Sequence, residues 1–391
     1  MNHYPYLIVG GGLACAAAIR GIRKVDAVGR IGVVARESHP PYIRPYLSKA
    51  LWKGKPYDDV WLKLDAGHLD LNLGASAVGI DRNNRQVTDD HGRVYGYDKL
   101  LLATGGTARR LPWEVEGLVY FRDLDDYLDL KALAERGQSL AVIGGGFIGS
   151  EIAASLCMNG NRVTMIFPEA GIGARIYPGP LSDFITTYYR DKGIGMLAGH
   201  TVDAIARHGE GYEIRTRGGE VLHVDGVVVG VGIQVNTELA QAAGLKVDNG
   251  IVVDAFLRTS DHAIYAAGDV ANFFNPVLGK RMRVEHEDNA NTMGEMAGRN
   301  MAGESVTYQH LPFFYSDLFD LGYEAVGELD AGMDLVEDWQ EPFHKGVVYY
   351  LKEGRVRGVL LWNTWDKMDA ARALIAEPGP FDAQSLKGRI A

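Results

Sequence analysis

Tyr6-Leu7-Ile8-Val9-Gly10-Gly11-Gly12-Leu13-Ala14 and Leu140-Ala141-Val142-Ile143-Gly144-Gly145-Gly146-Phe147-Ile148-Gly149 follow one grammar. In each, a short apolar run breaks into three glycines and then into an Ala- and Ile-rich stretch with helical spacing. The pattern predicts strand, tight turn and helix twice over. At such a turn, backbone N–H groups and the positive end of a helix face a pyrophosphate, and only glycine lets the backbone come that close. One loop of this kind is a weak signal. Two in this context imply two dinucleotides on one molecule, and electron transfer from one to the other is the economical explanation.

Working outward from the first loop, a helix is expected over 14–24 and a strand over 30–35, ending at Arg36-Glu37. A carboxylate about 20 residues past the glycines is where a ribose hydroxyl is held. Glu37 has that chemistry, Arg36 occupies the neighbouring slot, and a solvated turn residue is the competing reading. The run Pro40-Pro41-Tyr42-Ile43-Arg44-Pro45 is extended by its three prolines and leads into a short helix over 47–52. Antiparallel strands are expected at 78–81, 86–88 and 94–97, and a buried parallel strand at 99–103. The second unit repeats the first: a strand over 162–167 ends in Pro168-Glu169, again about 20 residues past its glycines. A carboxylate there accepts both ribose hydroxyls and repels a 2′-phosphate, so NADH is expected over NADPH, with Arg175 nearby in sequence. Gly226 to Gly232 closes that unit.

The chain then returns to the first fold, where strand-like residues 259–260 and 263–269 end on Asp269, well placed for a ribityl or ribose hydroxyl. From about Pro312 aromatic, alternating strands (323–329, 346–351, 356–362) and a helix over 367–376 form a small α+β domain. The expected fold is α/β, with two Rossmann-like dinucleotide-binding domains and that C-terminal domain. Residues 1–112 and 235–310 would form the first, 113–234 the second and 311–391 the third.

Bulk properties narrow the class. A chain of 391 residues with 47% hydrophobic and 23% charged residues has soluble composition and room for two or three cores. A formal charge of −10 argues against a general nucleic-acid binder. Only two cysteines occur, Cys15 and Cys157, without CxxC spacing. They predict small buried residues rather than a redox pair and, with no signal peptide, a cytoplasmic setting. No apolar run is long enough to span a bilayer, and His, Asp and Glu lack the spacing of a zinc or iron site, so no metal is expected.

The whole arrangement resembles the two-dinucleotide-fold flavoproteins of the pyridine nucleotide–disulfide oxidoreductase superfamily. Arg44-Pro45-Tyr46-Leu47-Ser48-Lys49, Ala103-Thr104-Gly105-Gly106-Thr107-Ala108-Arg109, Gly149-Ser150-Glu151 and Arg283-Val284-Glu285-His286 resemble the apoptosis-inducing factors. The NADH-dependent ferredoxin and rubredoxin reductases share most of this pattern. Tyr315-Ser316-Asp317, Gly322-Tyr323-Glu324 and Leu361-Trp362-Asn363 extend the match into the last domain. The resemblance implies FAD in the first site, contacted by Gly10, Gly11, Gly12, Leu13, Ala14, Glu37, Arg44, Lys49, the backbone near Val78, Arg109, Asp269, His286 and Asn363. Tyr315 stands where a tryptophan is expected near the flavin. It implies NADH in the second, contacted by Gly145, Gly146, Phe147, Ile148, Glu169, Arg175, Gly232, Glu285 and Glu324. This sequence departs from the pattern in carrying Cys15 in place of the first loop's third fingerprint glycine. It also lacks the animal factor's targeting leader, basic surface and long insertion, so that factor's DNA-linked role is not expected.

The implied chemistry is hydride transfer from nicotinamide to flavin, with the protein setting orientation and electrostatics. Lys49 and Glu151 are the expected pair beside flavin N5: the cation stabilises the charge of reduction and the carboxylate fixes its position. A solvated lysine and a helix first-turn acid are the bland alternatives. Phe313, Phe314 and Tyr315 either cover the flavin or pack the core, and His286 either meets the flavin edge or begins a helix. Electrons would leave directly to a ferredoxin- or rubredoxin-type carrier, a quinone or oxygen. The alternative is a redox sensor in which a long-lived charge-transfer complex with NADH controls a homodimer. Arg109-Arg110, Lys280-Arg281-Arg283 and Arg355 with Arg357 are candidate docking charges for an acidic carrier.

Overall fold

The computed structural model describes residues 2–64 and 67–390. The chain divides into two compact units: Met1–Arg44, Tyr57–Thr107 and Gln234–Pro312 form the first, and Pro45–Pro56, Ala108–Ile233 and Phe313–Ala391 the second.

The first unit is built on Asn2–Val9, whose apolar end is buried on both faces, as a central parallel strand requires. It lies between Ile31–Ala35 and Val94–Leu102, parallel to both. The sheet continues through Leu69–Leu73 on one side and through Gln86–Asp89 and Ala77–Asp81 on the other. The helix Leu13–Val25 packs on Glu287–Met301 through small residues. A Cβ on Gly294 would lie 2.4 Å from the Ala14 carbonyl oxygen, and one on Gly298 would lie 2.1 Å from that of Ala18. Two helix backbones therefore touch, and they do so directly behind the first glycine loop.

In the second unit Gly195–Ala198, Arg162–Phe167, Ser139–Ile143, Gly226–Val229 and Val119–Tyr120 form a parallel sheet. The same unit holds a five-stranded antiparallel sheet in the order Phe313–Leu318, Leu321–Gly327, Arg355–Trp362, Lys345–Lys352, Asp334–Glu341. Helix Met368–Ala376 buries Ala371, Leu374 and Ile375.

Several elements differ from the sequence expectation. Residues 94–97 and 99–103 are not two strands but one, Val94–Leu102, because it pairs parallel with Asn2–Val9 along its length, while its other edge meets Gln86–Asp89 and then Ile264–Ala266. The stretch 259–269 is strand only at Ile264–Ala266, and then turns at Gly268 (φ +79°). The helix expected over 47–52 is two 3-10 turns, Arg44–Leu47 and Ala50–Lys53, broken at Lys49 (φ −127°, ψ −89°). A three-stranded antiparallel sheet, Val202–His208, Gly211–Thr216 and Val221–Val224, was not anticipated, nor were Phe313–Leu318 and Asp334–Glu341. The last two lie at the edges of their sheet, where one unpaired side blurs the buried–exposed alternation.

Helix Leu124–Ala134 begins with a reciprocal box made of two acids. Asp123 accepts from the Asp126 amide at 3.1 Å, and Asp126 accepts from the amides of Arg122 and Asp123 at 2.8 and 2.9 Å. Burial, reinforced by the Asp123 charge, pushes Asp126 up to about 6. A carboxyl raised in the folded state binds its proton more tightly there than when unfolded. Its penalty is thus complete above pH 6 and fades as pH falls towards 4. Asp126→Asn keeps an acceptor oxygen and removes the titration. It should stabilise the protein by about 1–2 kcal/mol at pH 7.5 and have almost no effect near pH 4, as read from urea unfolding at the two pH values.

Candidate active site

The first glycine loop is shaped by backbone contacts. Gly10 has φ +114°, and a Cβ there would lie 2.2 Å from the Ala103 carbonyl oxygen, while Gly12 opens onto space with nothing within 4 Å. No side chain caps the helix that follows, and its first turn holds no acid, so its N–H groups suit an anion. Cys15 is fully buried, and burial pushes its thiol up to about 12. Glu37 is the acid held at the end of the second strand. Tyr42 Oη donates to its Oε2 and Arg44 Nη2 to its Oε1, each at 2.6 Å, and the Arg44 guanidinium lies 4.9 Å over the Tyr42 ring. Sequence reasoning missed Tyr42, because a spacing of five through a proline-rich loop has no fixed period that would place it against Glu37.

Also in the first unit, Asp269 sits on the turn Gly268–Val270 and His286 immediately precedes the helix Glu287–Met301. Arg283 Nη1 joins this group, donating to the Asp269 carbonyl at 3.2 Å and to Glu285 at 2.6 Å. Val78 is exposed on the strand Ala77–Asp81.

The second loop repeats the first with its own neighbours. Gly144 has φ +121°, a Cβ on it would lie 2.4 Å from the Gly230 carbonyl oxygen, and Gly146 again opens onto space. Helix Phe147–Met158 likewise lacks a side-chain cap and a first-turn acid. Beside it is a cavity of about 160 Å³ lined by Gly145, Gly146, Phe147, Glu169, Arg175 and Tyr177, among others. Ile148 is exposed at the helix start. Arg175 Nη2 donates to Glu169 Oε1 at 2.6 Å, with Arg175 largely in solvent. Tyr177 meets Tyr323 and Trp362 edge-on at 5.7 and 5.9 Å, and burial raises both phenols. Gly232 (φ +91°) accepts from the Arg109 amide, while Arg109 Nε donates to the Ile233 carbonyl.

Lys49 and Glu151 form a buried ion pair: Nζ donates to Oε1 at 2.7 Å, with the two side chains 13% and 2% exposed. The pair is built in the second unit because the helix Phe147–Met158 captures residues 48–52. Ser155 Oγ donates to the Ser48 carbonyl at 2.9 Å, and Asn159 Nδ2 to that of Trp52 at 3.1 Å. The break at Lys49 lets consecutive side chains, Ser48 and Lys49, both reach Glu151. The Lys49 ammonium lies 5.0 Å over the Tyr315 ring. The three aromatics expected to act together have different neighbours. Phe314 packs against Phe147 and Tyr323, Phe313 lies under Arg372, and Tyr315 lies under Lys49.

Other residues are committed elsewhere. Asn363 spends its side chain on backbone, accepting from Gly322 N–H and donating to the His344 carbonyl. Glu324 is raised by burial, and its Oε2 is buried with no hydrogen-bond partner. Cys157 is not fully buried as expected; its thiol, raised by burial, donates to the Lys192 carbonyl. Among the described residues one group has potential metal ligands within 4.8 Å of one another, His208, Glu213 and His223, which the sequence reading had left scattered. Pairing across the three-stranded sheet brings them together, and Arg215 already binds Glu213 at 2.7 Å.

Two dinucleotide cradles and a buried lysine–carboxylate pair on one chain define a two-nucleotide oxidoreductase. The chain belongs to the pyridine nucleotide-disulphide oxidoreductase family, whose model matches residues 4–294. Residues 297–341 and 334–377 match the C-terminal domain described for mitochondrion-associated apoptosis-inducing factor. The ferredoxin–NAD(+) reductase component of the anthranilate 1,2-dioxygenase system of Burkholderia cepacia is 37% identical, covering 99% of this chain and 97% of that protein. A putative mitochondrial apoptosis-inducing factor 1 of Drosophila melanogaster is 30% identical over 97% of this chain, which spans 64% of that protein's length. The structure of a covalent putidaredoxin reductase–putidaredoxin complex matches with TM-score 0.89 and 30% identity, covering 98% of this chain and 95% of that one. The protein is therefore a pyridine-nucleotide flavoprotein oxidoreductase, and no described helix is long and apolar enough to cross a membrane.

Gly145 lines the cavity, and a Cβ on it would lie 2.7 Å from the buried Phe167 ring. Gly145→Val should weaken NADH binding at least tenfold, about 1.4 kcal/mol, with flavin content unchanged. Calorimetric titration with NADH alongside the flavin absorbance of the purified variant checks both.

Proposed function

We propose that this chain oxidises NADH and delivers electrons to a small ferredoxin- or rubredoxin-type carrier. The observation that carries the reading is the buried Lys49–Glu151 pair in a protein whose two cysteines are both held as thiols. Bound FAD would supply the redox chemistry, accepting two electrons from the nicotinamide and releasing them singly. The chain's own residues would hold and orient it. The uncapped helix Leu13–Val25 would take the pyrophosphate, and Glu37, clamped by Tyr42 and Arg44, a ribose. Lys49 would place a fixed cation beside the ring that gains charge. With no disulfide to relay electrons through, the acceptor must take them from the flavin itself. The names of the Burkholderia relative and of the putidaredoxin reductase complex support a carrier of the ferredoxin type.

Glu169 supports NADH as the donor. Its carboxylate suits two ribose hydroxyls, and Arg175 is occupied by it. Glu169→Ala should release Arg175 for a 2′-phosphate and shift the NADH-to-NADPH preference in kcat/KM by about tenfold or more towards NADPH, roughly 1.4 kcal/mol.

The test of the reading is an anaerobic NADH titration of the flavin-loaded protein, followed by addition of a [2Fe–2S] ferredoxin or a rubredoxin. Rapid flavin bleaching and multiple turnovers of the carrier are expected. A charge-transfer band that outlasts exposure to carriers and air, with a change in molecular size on adding NADH, would instead support the sensor reading that the C-terminal domain match favours.

A further inference from the structure

Glu151 is a carboxylate with 2% exposure, and an ammonium alone does not satisfy it. Its two oxygens offer about four acceptor positions, and Lys49 takes one. Two further donors converge on it: Ser316 Oγ to Oε1 and Ser48 Oγ to Oε2, each at 2.6 Å. These are the short lengths of hydrogen bonds to an ionised acceptor. Ser316 and Ser48 are themselves 1% and 4% exposed, so no water competes for them.

The arrangement is asymmetric in a way that matters for the lysine. Ser48 holds Oε2, so the carboxylate plane is pinned. Ser316 shares Oε1 with Lys49 and so occupies one side of that oxygen. The Tyr315 ring, 5.0 Å from the ammonium, bounds the lysine again. A lysine carries a compact charge on a flexible four-carbon stem and has no directional preference of its own. Here the two hydroxyls supply the direction. They arrive from different elements, the 3-10 break at residues 48–49 and the strand Phe313–Leu318, onto an acceptor carried by the helix Phe147–Met158.

We propose that Ser48 and Ser316 are positioning residues that fix the Glu151 carboxylate and, through it, the place of the Lys49 ammonium beside the flavin. The proposal rests on Lys49 acting as the flavin-side cation but not on NADH being the donor or on which carrier accepts. Removing the hydroxyls leaves the ion pair able to form, so Ser48→Ala/Ser316→Ala should fold and bind flavin. It also leaves the carboxylate free to rotate and the ammonium free to wander, which weakens the stabilisation of reduced flavin.

The measurement is the midpoint potential of the bound flavin, by equilibration with a reference dye, in wild type, the double serine variant, Lys49→Met and the triple variant. The double variant should lie about 30 mV below wild type, a tenfold change for a two-electron couple. In the Lys49→Met background the same serine changes should move the potential less than a third as far, because residues acting through one another are not additive. Ser316→Thr, which keeps the hydroxyl, should hold the wild-type value. A double variant at the wild-type potential overturns the proposal, as does an equal shift with and without Lys49. If the double variant loses flavin, Ser316→Ala alone is compared with Ser316→Thr under the same criteria. Because added dithionite reduces dye and flavin together, the potential is readable even in a protein that NADH does not reduce.

Discussion

A single buried carboxylate organises the second unit. Bringing Glu151 and Lys49 out of water costs several kcal/mol per ion, recovered only through close pairing and saturation of the remaining lone pairs. That demand explains why residues 45–56, which interrupt the first unit in sequence, are gathered into the second. They deliver a cation and a hydroxyl to Glu151, and Ser155 and Asn159 tie down the intervening backbone. Trp52 seals the segment, edge-on to Tyr127 at 5.5 Å with the Lys131 ammonium over its ring. A segment with two short 3-10 turns and little regular structure is thus held by its ion pair and hydroxyl to one anion, by backbone anchors and by the burial of Leu47, Leu51 and Trp52.

The two glycine loops solve one steric problem with different surroundings. In both, the first glycine takes a positive φ because a carbonyl oxygen crowds the place of its Cβ, and the third opens onto space at an uncapped helix. The acid at the end of the second strand distinguishes them. Glu37 is gripped by a phenol and a guanidinium in a partly buried cluster, whereas Glu169 has one largely exposed arginine. The first acid is therefore held by two donors and the second by one, although the two carboxylates are equally exposed.

What could be read from the sequence was whatever is written locally. Strand–glycine–helix units, acids at fixed spacing and continuous apolar runs were legible because their meaning lies within about 25 residues of chain. Lys49 and Glu151 are 102 positions apart, and their pairing came from resemblance; the contacts of Tyr42 with Glu37 and of the two serines with Glu151 were not legible. A hydroxyl carries no periodicity, and Ser316 acquires its partner only when a strand of the last sheet is laid beside the helix Phe147–Met158. The strand Val94–Leu102 was misread for a related reason: its partners, continuous on one edge and changing halfway along the other, are for the most part remote in sequence. The sheet Val202–Val224 was overlooked although Tyr212, Ile214 and Thr216 alternate as buried residues with the outward Glu213 and Arg215, the period of a half-buried strand.

The helix Phe147–Met158 opens with an anion-seeking end and, within its first turns, carries the acid that fixes Lys49. An insertion of one residue between Gly146 and Glu151 would rotate that acid by about 100° away from its three donors while leaving the glycine turn intact. The uncapped helix start and the anchor of the buried ion pair are therefore written in one short reading frame. A change of length across these few positions would keep the turn and lose the ion pair, whereas the same change in an exposed loop would touch neither.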